Sequence, residues 1–400
     1  MKFKLTRQEL LKDLYIAFYD AKRYKSSMSY VKKFEKDLKK NINSLCDDLF
    51  NRAYVAMPSK CFIIDYPKKR EVFAAQFRDR IVHHLYFNYT HDLFERTFIQ
   101  DTYSCIKNRG THYGVKRLIK HIRSESHNYN IPCYAMKLDI RGYFMHINRL
   151  RLLEIARGTI NKMRNHRVKE KGNMLWEELI DIDFVDWLTE KIILLNPINN
   201  CQFIGSVSDW DGLDYNKSLF HTNEGCGLPI GNLTSQLFSN VYLNEFDQFI
   251  KRSLHCKHYG RYVDDAFIIS TDKKWMLSLI PKIQDFLKNH LMLDLHMGKL
   301  RINDINQGVE FLGAFVKPYR TYVSNASLRR AKNNIYKMNL HDREKIFNTV
   351  NSYLGMMIHY SSYNIRKNLF LHEQYTSIAS FDSGLTKMDK NSFLNNNITT

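Results

Sequence analysis

The chain has 400 residues, 44% hydrophobic and 13% aromatic, enough to bury a large core across two or three subdomains. Its 60 Lys and Arg against 41 Asp and Glu give a formal charge of +19, which calls for a polyanionic partner. No apolar run is long enough for a membrane span and no signal-peptide core opens the chain; seven Cys, odd in number and never closer than fifteen residues, favour reduced thiols over a disulfide framework or zinc ribbon. A cytoplasmic protein with reduced, mostly buried thiols and no membrane partner is the expectation.

Residues 1–40 carry twelve Lys or Arg against five Asp or Glu. From Phe34, the spacing of Leu38, Ile42, Leu45 and Leu49 predicts an amphipathic helix with a basic outer face, which suits solvent and nucleic acid equally. Pro58 and Pro67 bracket a short strand, Cys61 to Ile64. A basic strand with Lys68 and Arg70 then leads into a helix whose Arg78, Asp79 and Arg80 suggest an ion-pair cluster. Between Lys107 and Arg123 lie six basic residues and no acid, interleaved with His112, Tyr113 and His121, a pattern suited to tracking phosphates.

The apolar run Tyr134–Leu138 reads as a strand delivering Asp139, followed by Gly142, Tyr143 and Phe144. Met174 to Leu195 is predicted helical, and the polar stretch from Pro197 to Gly225 is predicted to be an irregular loop. Gly227-Leu-Pro-Ile-Gly-Asn-Leu-Thr-Ser-Gln opens a helix, with Pro229 and Gly231 shaping the loop and Asn232 or Thr234 available as cap. In His258-Tyr-Gly-Arg-Tyr-Val-Asp-Asp-Ala-Phe-Ile-Ile-Ser270 two apolar runs meet at Asp264 and Asp265. A regular strand would point adjacent acids to opposite faces, so a tight hairpin turn is predicted, with Tyr262 and Val263 on the incoming strand. His255, Cys256 and His258 lack a second ligand cluster, so no zinc is expected there. Trp275 to Leu291 is predicted helical; Ile346, Val350, Leu354 and Met357 share one face of a later helix; and the polar tail from Met388 is expected to fray.

In this order the segments around Asp139, Gly227–Asn240 and Asp264-Asp265 resemble motifs A, B and C of reverse transcriptases, and Val309-Glu-Phe-Leu-Gly-Ala-Phe-Val316 resembles motif E. Most intron and retroviral members carry Gln-Gly and then Ser-Pro in motif B. Here Ile230-Gly231 and Ser235-Gln236 resemble instead the bacterial lineage of diversity-generating retroelements and defence-associated (antiphage) enzymes, related to retron and group II intron reverse transcriptases.

The resemblance implies an α+β right-hand polymerase fold: fingers, a palm with an antiparallel sheet and helices, and a helical thumb. It implies a basic helical region at 1–60, fingers at 61–130, palm at 131–148, a connection at 149–224, palm again at 225–318, and thumb and tail at 319–400. The implied activity is RNA-directed DNA synthesis by two-metal nucleotidyl transfer, with Asp139, Asp264 and Asp265 as metal ligands for two magnesium ions, manganese being the alternative. Lys68 and Arg70 are implied to grip the triphosphate, Phe144 to exclude a 2′-hydroxyl, Gly231 and Gln236 to line the nucleotide site, and Lys299 to protonate pyrophosphate. Lys107 or Arg109 would contact template, because Ile106 stands where members often carry arginine; Gly313, Arg329 and Arg330 would hold the primer and duplex. Implied partners are an RNA template, a dedicated noncoding RNA for a role in antiphage defence, together with dNTPs, the DNA product, and an accessory protein or second copy. Error-prone cDNA synthesis for diversity generation and a catalytically silent RNA-binding scaffold are the alternatives.

Overall fold

A computed structural model describes residues 3–65, 68–168, 172–338, 342–371, 376 and 379–389. The helices are α1 (Arg7–Lys22), α2 (Ser29–Lys36), α3 (Leu38–Phe50), α4 (Phe77–Glu95), α5 (Thr111–Glu125), α6 (Tyr143–His146) and α7 (Arg149–Met163). They continue with α8 (Trp176–Leu179), α9 (Ile182–Ile193), α10 (Leu233–Gln248), α11 (Lys273–Leu291), α12 (Asn325–Tyr336), α13 (Arg343–Met357) and α14 (Tyr363–Phe370). The strands are β1 (Ser59–Ile64), β2 (Arg70–Ala74), β3 (Tyr134–Leu138), β4 (Arg167–Val168), β5 (Met174–Leu175) and β6 (Cys201–Phe203). The rest are β7 (His258–Tyr262), β8 (Asp265–Ser270), β9 (Arg301–Asp304), β10 (Val309–Phe311), β11 (Ala314–Lys317) and β12 (Arg320–Val323). No described helix is long and apolar enough to cross a membrane.

The chain divides into two compact units whose segments interleave. The first comprises 1–107, 139–257 and 278–298. Thr6 and Glu9 form a capping box that starts α1, which packs on α4; α4 in turn packs on α10. The single helix predicted from Phe34 is two, broken at Asp37 between α2 and α3. The predicted helix 174–195 is also subdivided, because Asp181 accepts a hydrogen bond from the Phe184 amide (3.0 Å) and starts α9 afresh. Its sheet has the order β2-β1-β6, with β1 and β2 antiparallel and β6 parallel to β1. The stretch expected as an irregular loop therefore supplies a third strand.

The second unit comprises 108–138, 258–277 and 299–400. Its antiparallel sheet has the order β7-β8-β3-β9, and α5 packs on β7 and β8 through the apolar side that includes Val115, Leu118 and Ile122. A second sheet, β10-β11-β12, precedes a helical cluster in which Ile335, Ile346, Val350, Leu354, Met357, Leu369 and Phe370 are buried. Met388 joins this core and bridges to Phe381, so the chain is still packed where fraying was expected to begin. The tail from residue 390 lies outside the described residues.

Candidate active site

In the second unit, β7 and β8 pair with Tyr262 opposite Asp265, leaving Val263 and Asp264 as a two-residue turn. Val263 is thus in the turn rather than on the incoming strand, and its φ of +54° is a left-handed conformation costly for a β-branched side chain. Arg261 is fully buried, and its Nη1 donates to the Val263 carbonyl at 2.8 Å. The buried guanidinium thus braces the turn that carries Asp264. Asp265 begins β8 and stays partly exposed, with Lys137 Nζ 3.4 Å from its Oδ1. β3 runs along the other edge of β8, with its last residue, Leu138, opposite Ala266.

The first unit gathers the residues expected around the nucleotide. Asp139 follows β3 directly in the chain, and its carbonyl accepts from the His296 amide at 2.8 Å. Gly142 turns the backbone at φ +54°, where a Cβ would lie 2.6 Å from the His146 ring, and α6 begins. Phe144 packs, partly buried, on a cluster containing Cys61, Phe73, Met145 and Leu219, which Ile230 also joins. The Phe144 carbonyl accepts from the Leu228 amide (2.8 Å), so motif A is tied to the loop before α10. That loop is tied in turn to β2: the Phe73 amide donates to the Ile230 carbonyl at 2.9 Å, and the Ala75 amide to Asn232 Oδ1 at 3.2 Å. Asn232 and Thr234 therefore do not cap α10 with their side chains; Thr234 Oγ1 lies 2.7 Å from His83 Nδ1. Gly231 has φ +123°, and a Cβ there would sit 2.9 Å from Val72 Cγ1 and 3.2 Å from the Phe73 carbonyl oxygen. Arg70, at the start of β2, and Lys68, just before it, are exposed. Gln236 is exposed on α10, its Oε1 3.4 Å from Cys105 Sγ.

Sequence reasoning missed two residues. Besides Arg261, Glu71 is buried and accepts from Trp210 Nε1 (2.8 Å), Ser218 Oγ (2.8 Å) and the Leu219 amide (2.6 Å). It fastens the connection to the β1–β2 hairpin; the available signal was an acid directly before the apolar run Val72–Ala74 in β2. At the start of α4, Arg78 pairs with Asp48 and with Asp79 (3.6 Å), while Arg80 Nε instead donates to the Ala75 carbonyl at 2.8 Å.

Of the remaining expected residues, Lys107 is exposed, Arg109 half-buried and Ile106 buried. Lys299 is exposed at the end of a short 3-10 turn. Gly313 is the second residue of the β10–β11 turn, where Leu312 and Gly313 both have positive φ (50° and 83°), the left-handed pair that tight hairpins require. Arg329 is exposed and Arg330 half-buried on α12. Among the described residues no group of three His, Cys, Asp or Glu side chains is arranged to hold a metal ion.

Residues 67–316 match the family described as reverse transcriptase (RNA-dependent DNA polymerase). The chain belongs to that family. It accordingly has the α+β right-hand polymerase fold. Among solved structures it is similar to apo telomerase from Candida tropicalis truncated from the C-terminal domain, at 12% identity and TM-score 0.46, covering 66% of this chain and 55% of that one. It is also similar to telomerase from Candida albicans in complex with a TWJ fragment of telomeric RNA, at 12% identity and TM-score 0.46, covering 81% and 55%. The chain spans about half the length of these telomerase chains. No curated protein matches it.

Proposed function

We propose that this reverse transcriptase copies an RNA template by adding deoxynucleotides to a primer 3′-hydroxyl, with Asp139, Asp264 and Asp265 as its catalytic acids. The observation that carries this reading is the β7–β8 hairpin, whose turn is strained at Val263 and clamped by buried Arg261. A solvated acidic turn has no need of a buried guanidinium beneath it. Asp139 is included because it directly follows β3 in the chain and stands where the resembled motif A carries its acid.

The donor set is all carboxylate, the hard oxygen chemistry that magnesium prefers. When bound, two magnesium ions, or manganese in their place, would supply Lewis acidity to the 3′-hydroxyl and the triphosphate. The 3′-oxygen bonds to the α-phosphorus as the bond to pyrophosphate breaks. Lys68 and Arg70 hold the triphosphate, Arg70 by a bidentate fork. Phe144, anchored in its apolar cluster, fills the space a 2′-hydroxyl would take. Gly231 lets the loop lie flat against β2, Gln236 faces the nascent pair, and Lys299 gives a proton to departing pyrophosphate. Lys107 or Arg109 contacts the template, Gly313 supports the primer end, and Arg329 and Arg330 grip duplex phosphates.

Within the family, Ile230-Gly231 and Ser235-Gln236 support the retroelement and defence lineage. We assign the chain to antiphage defence with a dedicated noncoding RNA, on the length of the 149–224 connection, with diversity generation as the competing role. The test is sequencing of nucleic acid copurified with the wild type and with a D264A/D265A double variant. Complementary DNA matching one bound RNA, absent from the variant, is expected. RNA alone in both samples refutes synthesis and favours a silent scaffold, whereas cDNA enriched in errors and matching a repeat cassette favours diversity generation.

A further inference from the structure

The outer side of α5 carries a feature that the polymerase reaction does not use. Lys116, Lys120 and Arg123 recur at i, i+4 and i+7, so they form one stripe about 10 Å long, and His127 continues it past the helix end. The buried residues Val115, Leu118 and Ile122 lie on the opposite side, against the β7-β8-β3-β9 sheet. The stripe thus faces away from that sheet. With Ile119, Ser124 and Asn128 it lines a groove of about 720 Å³. The nearest acid on the helix does not neutralise it: Glu125 lies 3.1 Å from His258 Nε2 and accepts from the Thr271 amide at 3.2 Å.

At the end of the groove the chain takes three consecutive left-handed residues, His127, Asn128 and Tyr129. The rings of Tyr129 and Tyr319 pack at a tilt of 58° with centroids 4.7 Å apart, and the Tyr319 hydroxyl donates to the Asn128 carbonyl at 3.5 Å. Tyr319 is nevertheless 79% exposed, in the turn between Lys317 and Arg320. A row of cations ending at an exposed aromatic ring is what a nucleic-acid strand with an unpaired base recognises: phosphates on the cations, the base on the ring. An anionic membrane or an acidic protein would use the charges but has no base for the ring.

We propose that this groove is a second RNA-binding surface, apart from the polymerase site, with Lys116, Lys120 and Arg123 taking backbone phosphates and Tyr319 stacking an unpaired base of a folded RNA. The polymerase reading enters only in naming RNA as the nucleic acid. The test is equilibrium binding of a labelled RNA stem-loop with an unpaired loop, without dNTPs, across a salt series. The K116Q/K120Q/R123Q variant is expected to lose affinity on the order of tenfold or more, and the slope of log K against log salt to fall by about two to three. Y319A is expected to weaken binding by about fivefold or more with an unchanged slope. Because the net charge is high, a K274Q/K282Q/K288Q variant, altered at exposed lysines of α11, serves as the charge-matched control and should retain affinity. The proposal is overturned if the groove variant binds as the wild type does, or if the control loses as much. It is also overturned if the groove residues govern binding to anionic phospholipid vesicles while RNA affinity stays unmoved. Extension of a preannealed primer is measured separately: a wild type that binds the stem-loop but extends nothing counts against the polymerase reading and leaves the groove standing.

Discussion

Replacing Glu71 by alanine removes the one acceptor shared by Trp210, Ser218 and the Leu219 amide. Hydrogen bonds to a charged acceptor contribute about 1.5–3 kcal/mol each, so the gross loss is about 4–9 kcal/mol. Water reaches the freed donors once the loop lifts, which brings the net cost down to about 3–5 kcal/mol, at about 1–3 kcal/mol for each donor left unsatisfied. The apolar packing of Leu219 and Phe220 on Phe73 remains, so the connection should detach locally before the unit unfolds. Limited proteolysis with mass spectrometry is the assay: cleavage within 204–217 is expected to accelerate by at least about a hundredfold in Glu71→Ala, by the local opening energy. Glu71→Gln keeps one carbonyl oxygen for part of the set and should fall between the two. Since Arg70 and Phe73 sit on the same strand, KM for dNTP should rise in step with cleavage. Protection equal to wild type in Glu71→Ala would refute the claim that this carboxylate fastens the connection.

Phe144→Ala should admit ribonucleotides, narrowing the preference for dNTP over rNTP by on the order of a hundredfold in single-nucleotide extension, with stability reduced by about 2–4 kcal/mol because the ring is only partly buried. Gly231→Ala forces a Cβ against Val72 and the Phe73 carbonyl at a positive φ; a loss of about 2–3 kcal/mol by denaturant titration and a raised KM for dNTP are expected. Val263→Gly relieves the left-handed strain at the hairpin tip, so stability should hold or rise by about 1 kcal/mol while kcat falls, since the acids lose their fixed support. Burial pushes His83 down to about 4, so between its ordinary value of 6.5 and about 4 the unfolded chain binds the extra proton. Its contribution is complete above pH 6.5 and is lost as pH falls to about 4, amounting to about 3 kcal/mol. Thermal melts across that window should show the decline, and His83→Gln should flatten it.

The order of the acid-bearing segments, the hairpin at Asp264 and Asp265, the turns at Gly142 and Gly231 and the apolar face of α13 were legible from the sequence. Each depends on neighbours within a few residues: adjacent acids need a turn, and a left-handed backbone selects glycine. The connection between 197 and 225 was not legible in this way, because its third strand exists only by pairing with β1, about 140 residues earlier in the chain. Asn232 looked like a helix cap and instead serves the Ala75 amide. Arg261 looked like one more basic residue in a basic chain, and Val263 like a strand residue. Only folding shows that the first is buried and the second strained, since burial and strain come from what the distant chain packs against. Local chemistry thus wrote the candidate catalytic residues into the sequence, and long-range contacts decided what holds them in place.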